Sequence, residues 1–205
     1  MLGVPEIPGH LQVACTHRAS ASHLLLEVTS RHSSPVFAIR CTQTLLKRLA
    51  AHPDDTDQSE ATTVLGDWYV NTLNVGRLRL LLCASERSLL TAIIPAVPLR
   101  SFPERLEHAV ARILTGLPIT ASAIARERKE MSWHWFGRTR SRHVLGSMND
   151  FAFLAEHYIR DDGADLDLDR IAEMLNRAPC RPIQYQSPDR LTPALFARAG
   201  KRDHT

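Results

Sequence analysis

The chain has 205 residues, 25 Lys and Arg against 22 Asp and Glu, a net charge of +3, and 44% hydrophobic residues. That length buries one core of ordinary size without staples, and so small a charge excess permits contact with nucleic acid without implying it. No apolar run reaches the length of a membrane span, and the N-terminus lacks the charged start and apolar core of a signal peptide.

The four cysteines, Cys15, Cys41, Cys83 and Cys180, are widely separated and form no CxxC pair. This speaks against a zinc knuckle or a disulfide framework and fits a reducing cytoplasm. Cys41 and Cys83 lie in apolar surroundings and read as small buried hydrophobes.

Residues 1–35 are rich in Ser, Pro and His, and only residues 24–28 have the composition of a short element, so they read as a flexible N-terminal extension. A single domain is expected over residues 36–198, with a frayed tail over 199–205. Residues 36–40 read as a strand, and a short helix follows from Thr42 with Leu45, Leu46 and Leu49 on one side. Residues 52–63 are polar and read as an exposed loop.

The densest apolar stretch runs over residues 65–97. Residues 68–75 form a candidate strand, and Asn74-Val75-Gly76 supplies turn chemistry. Residues 78–84 are too continuous in Leu to have a wet face, so a central strand covered by helices is expected. A third strand over residues 89–94 is stopped by Pro95, and the short connections predict an antiparallel meander.

Ser101-Phe102-Pro103-Glu104 has the capping-box pattern, and the helix it opens carries Leu106, Val110, Ile113 and Leu114 on one face before Gly116 and Pro118. A second helix is expected over residues 120–129 and a strand over 131–136. Trp133 and Trp135 share one face of that strand and read as core. After a basic loop, Ser147 and Asp150 resemble an N-cap pair opening a helix that carries Phe151, Leu154 and Tyr158. Residues 161–169 are acidic, 168–175 form a helix, 179–187 are irregular, and Ser187-Pro188 opens a last helix. This order predicts an α+β fold: an antiparallel sheet with helices packed mainly on one face.

The basic loop concentrates the chemistry. Arg138, Arg140 and Arg142 alternate with His143 close behind, so an extended backbone would turn all three guanidiniums to one side. Beside a helix opening at Ser147, with Asn149 near its first turn, they would suit a phosphate or carboxylate. Charge runs are more often plain solvated surface.

Three blocks carry a family resemblance: Leu65-Gly66-Asp67-Trp68-Tyr69, residues 144–151 (VLGSMNDF), and Pro179-Cys180-Arg181-Pro182-Ile183 leading to Tyr185 and Ser187-Pro188. Over about residues 36–196 the chain resembles an uncharacterised bacterial family, a domain of unknown function. The resemblance implies a bacterial cytoplasmic protein and brings no activity, cofactor or catalytic residue with it.

Most catalytic signatures are missing. There is no GxSxG, no HxxxH or HxH, no GxxxxGK[ST] and no GxGxxG. Asp165, Asp167 and Asp169 imitate the start of a calcium loop, but Arg170 stands where Gly is needed and Asn176 where Glu is needed. No metal and no cofactor are expected. The leading expectation is a binding or regulatory domain that takes nucleic acid or an acidic protein surface through Arg138, Arg140, Arg142, Ser147 and Asn149. For nucleic acid, Arg126, Arg128 and Lys129 form a second basic group, with the two tryptophans between. Trp68 and Tyr69, with the irregular segment over residues 179–188, form a candidate apolar partner surface. The alternatives are an enzyme on a phosphate or carboxylate substrate, with Asp67 or Asp150 as base and His143 as proton carrier, and a homo-oligomeric or toxin-neutralising protein.

Overall fold

The computed structural model describes residues 37–53, 60–163 and 166–202. The extension expected over residues 1–35 lies outside them. Among the described residues, five strands form one sheet: β1 (Phe37–Cys41), β2 (Trp68–Val75), β3 (Leu78–Ser85), β4 (Thr91–Pro95) and β5 (His134–Arg138), in the order β4-β3-β2-β1-β5. The helices are α1 (Gln43–Leu49), α2 (Phe102–Thr115), α3 (Ala121–Met131), α4 (Arg142–Asp162), α5 (Leu168–Asn176) and α6 (Pro188–Arg202). None of the described helices is long and apolar enough to cross a membrane.

The β2-β3-β4 meander is antiparallel, as its short turns require. The sheet as a whole is mixed, which corrects the all-antiparallel expectation. β1 pairs in parallel with β2 on one side and with β5 on the other. Both parallel neighbours are reached by long connections, one through α1 and one through α2 and α3, and a parallel pair cannot be joined any other way.

Helices cover both faces, which corrects the second half of the expectation. Phe37, Ile39, Cys41, Trp68, Val70, Leu81, Cys83 and Ile94 pack on one side against Leu45 and Leu46 of α1, Phe102, Leu106 and Val110 of α2, Ile124 of α3 and Phe196 of α6. Tyr69, Leu73, Leu80, Leu82 and Ile93 pack on the other against Val144, Met148, Phe151, Ala155 and Ile159 of α4 and Ile171 and Leu175 of α5. The unbroken apolar run of β3 reflects this two-sided burial.

Three local details differ from the sequence reading. α3 runs on through Met131, whose side chain is buried, so β5 starts at His134 and Trp133 is left 53% exposed. The α2 capping box does not close: the Ser101 hydroxyl accepts from Arg105 Nη1 at 2.7 Å instead of capping the helix. α6 extends to Arg202, into the stretch expected to fray.

The outer edge of β4 is held by α5. The Asn176 side chain accepts the Thr91 N–H at 2.7 Å and donates to the Thr91 carbonyl at 2.9 Å. A side-chain amide thus stands in for a neighbouring strand's peptide at that position. α6 docks through Thr192, buried, whose hydroxyl donates to Ser88 Oγ at 3.0 Å.

Candidate functional site

Two groups of polar residues lie on the α4 side of the sheet. The first is a buried ion network where β1, β2 and β5 meet. Asp67 immediately precedes β2, and its Oδ1 accepts the Ala38 N–H at 2.9 Å. The carboxylate thereby extends the β1–β2 ladder by one rung. Its Oδ2 accepts from Arg40 Nε at 2.5 Å and from Arg140 Nη2 at 3.2 Å.

Arg40 is only 4% exposed. It donates through Nη1 to the Arg138 carbonyl at 3.2 Å and lies over the Trp135 ring, 5.3 Å from its centroid. Gly137 makes room for this arrangement: a Cβ there would lie 2.8 Å from Trp135 Cζ3 and 3.1 Å from Arg40 Nη1. Two guanidiniums on one desolvated carboxylate satisfy a group that would be costly alone.

The segment that places Asp67 is clamped from the other side of the sheet. Glu127 of α3, buried, accepts the N–H groups of Val64 at 2.8 Å and Leu65 at 3.1 Å. Arg87 donates to the carbonyls of Ala61 and Thr63, both at 2.9 Å, and packs against Gly66, whose φ of +77° suits glycine.

The network also holds the start of α4. Arg140 lies 3.8 Å from Glu86 as well as pairing with Asp67. The Tyr69 hydroxyl donates to Glu86 at 3.3 Å and accepts the Ser141 N–H at 3.2 Å. Burial and the Glu86 charge push the Tyr69 hydroxyl pKa up, against Arg40, the Ser141 N–H and Arg140. Ser141 is the N-cap, its hydroxyl accepting from Val144 N at 3.4 Å.

This corrects the helix start expected at Ser147. That residue lies inside α4, and its hydroxyl donates back to the His143 carbonyl at 3.2 Å. Gly146-Ser147 resembles a break, but the buried series Val144, Met148, Phe151, Ala155 and Ile159 carries the helical period straight through it.

The three arginines therefore do not converge. Arg138 ends β5 and borders a hollow shared with Lys47 and His52, Arg140 turns to Asp67, and Arg142 opens α4 in a different groove. The second basic group, on α3, belongs to the opposite helical layer, and there Arg128 pairs with Glu107 at 2.5 Å. Trp68 and Tyr69 are fully buried, one in each core cluster, so they form no surface for a partner.

The second polar group lines a groove of about 430 Å³ between the first turns of α4 and residues 178–185. Arg142, His143, Ser147 and Asp150 border it from α4, and Cys180, Arg181 and Tyr185 from the facing turn. Asn149 is exposed on α4 and does not line it. Arg142 and Arg181 are both exposed, and neither is ion-paired among the described residues. Burial pushes the Cys180 thiol up to about 11, with the Asp150 charge acting the same way.

Asp67 does not line this groove, so the expected trio of Asp67, His143 and Asp150 is not assembled. Among the described residues no cluster of three His, Cys, Asp or Glu side chains is arranged to hold a metal ion.

A family model described as a domain of unknown function (DUF6933) matches residues 38–191. The chain belongs to this family. The DUF6933 match takes in the sheet from the second residue of β1 onward, the ion network and both walls of the groove, and it ends within α6. None of the curated proteins compared with the chain matches it.

Sequence reasoning had no signal for Arg40, a single arginine in an apolar strand. Arg181 and Tyr185 stood out only as members of the segment over residues 179–188, in the resemblance and in the candidate partner surface, because nothing local shows that residues 180–186 fold back on α4.

Proposed function

We propose that this DUF6933 domain is a binding domain that takes an anionic group of a partner into the groove between α4 and residues 178–185. Arg142 and Arg181 make the anion contacts and His143 adds to them. One observation carries the reading: two exposed arginines, neither ion-paired among the described residues, border one groove from two different elements. Arg138 and Arg140, also expected at the anion, belong to other surroundings and take no part.

Binding is favoured over catalysis by the state of the reactive groups. Every oxygen of Asp67 is engaged, the Ser147 proton is committed to a carbonyl, and the Cys180 thiol stays protonated at neutral pH.

Calorimetric titration of the full chain with polyglutamate, at low and at high salt, tests the reading. Binding that weakens with salt and is lost in Arg142→Ala and Arg181→Ala is expected. Absent binding, or binding indifferent to both substitutions, removes it.

A further inference from the structure

The same groove has an apolar end that an anion site alone does not need. Leu154, Pro182 and Tyr185 line it beside Arg142, His143 and Arg181. Tyr185 is 70% exposed, a large aromatic surface on a tight turn.

Its backbone is unusual too. Gln184 and Tyr185 both have positive φ, +58° and +60°, a region that bulky side chains rarely occupy. The turn is held there by its own hydrogen bonds. Tyr185 N donates to the Cys180 carbonyl and Cys180 N to the Gln186 carbonyl, both at 2.9 Å, and Gln184 N donates to the Arg181 carbonyl at 3.0 Å. The ring is therefore presented from a fixed backbone, and little freedom is lost when something stacks on it.

Resting on the proposed function above, we infer that the occupant is an acidic segment of a protein partner, with an aromatic or aliphatic side chain next to its carboxylate. The carboxylate meets Arg142 and Arg181, and the apolar side chain lies against Tyr185, Leu154 and Pro182. Charge sets the polarity of the partner: the groove is bordered by the two guanidiniums of Arg142 and Arg181 and, among its lining residues, by one carboxylate, that of Asp150.

The same features disfavour a nucleic acid strand. A phosphate backbone needs a continuous basic track, whereas the basic group on α3 lies in the opposite helical layer and Arg138 borders a different hollow with Lys47. Tyrosine and arginine beside an apolar strip is the composition of a protein-binding hot spot.

The test uses the full chain and three fluorescent probes in anisotropy titrations. One is a peptide of alternating Asp and Phe, the second has the same charge with Ser in place of Phe, and the third is single-stranded oligothymidylate. The Phe peptide is expected to bind about tenfold tighter than the Ser peptide. Tyr185→Asn, which keeps a residue tolerant of positive φ, should abolish that advantage and leave the Ser peptide unchanged, while Tyr185→Phe should retain it. Equal binding of the two peptides, or an advantage that survives Tyr185→Asn, overturns the inference and leaves the anion reading standing. Oligothymidylate binding tighter than either peptide overturns it in favour of nucleic acid. If neither peptide binds, the anion reading falls with it.

Discussion

Raising the pH should weaken this fold through one carboxyl group, that of Glu127. The side chain is 1% exposed, and both of its oxygens accept backbone N–H groups, from Val64 and Leu65. Burial raises its pKa from 4.5 to about 7; the two N–H bonds oppose the rise, Glu130 adds to it, and Arg87 opposes it. The folded chain therefore holds this proton more tightly than the unfolded chain does. The resulting stabilisation is complete below about pH 4.5 and is lost as pH rises through about 7.

The gap between those values is worth roughly 3 kcal/mol across the window. Urea unfolding of the wild type and of Glu127→Gln at a series of pH values measures it. The variant cannot titrate, and its amide faces one of the two N–H groups, a constant offset of about 1–2 kcal/mol. Histidines that titrate in the same range cancel in the difference. As pH rises, the difference should move by roughly 3 kcal/mol in favour of the glutamine variant. A difference that stays flat refutes the reasoning.

Asp67→Ala should cost about 3–5 kcal/mol in chemical denaturation, because it strands the buried Arg40 guanidinium. Gly137→Ala should cost about 1–3 kcal/mol and alter the near-ultraviolet circular dichroism, since the new methyl displaces the Trp135 ring. Asn176→Ala should cost about 2–4 kcal/mol by leaving the Thr91 peptide unpaired, with polyglutamate binding unchanged. Iodoacetamide near neutral pH should leave Cys180 unmodified in the native chain and label it in denaturant, as read by peptide mass spectrometry.

The meander and α2 were legible in the sequence because each is local: alternating or periodic apolar residues between turn residues specify them. The parallel pairings of β1 were not. A strand's side-chain pattern says how its faces are buried and nothing about which strand lies beside it. Only the long connections through α1 and through α2 and α3 held that information.

The candidate site was legible only in part. Arg142, His143, Ser147 and Asp150 lie close in sequence and line one groove, but the residue pattern put Arg142 and His143 in a loop ahead of a helix opening at Ser147 instead of inside α4. Their supposed companions, Arg138 and Arg140, were grouped with them by assuming an extended backbone, which ends at Arg138. The polar contacts that hold the sheet and the network together act over long separations: Arg40 on Asp67, Glu127 on the segment before it, Asn176 on Thr91. No window along the chain contains both members of such a pair.

The side chain of Asn176 has one more consequence, for growth of the sheet. It occupies the donor and acceptor that an incoming chain would need at the start of β4, and Pro95 at the other end has no N–H to offer. Strand addition on that flank is thus penalised at both ends of β4, for ordered assembly and for aggregation alike.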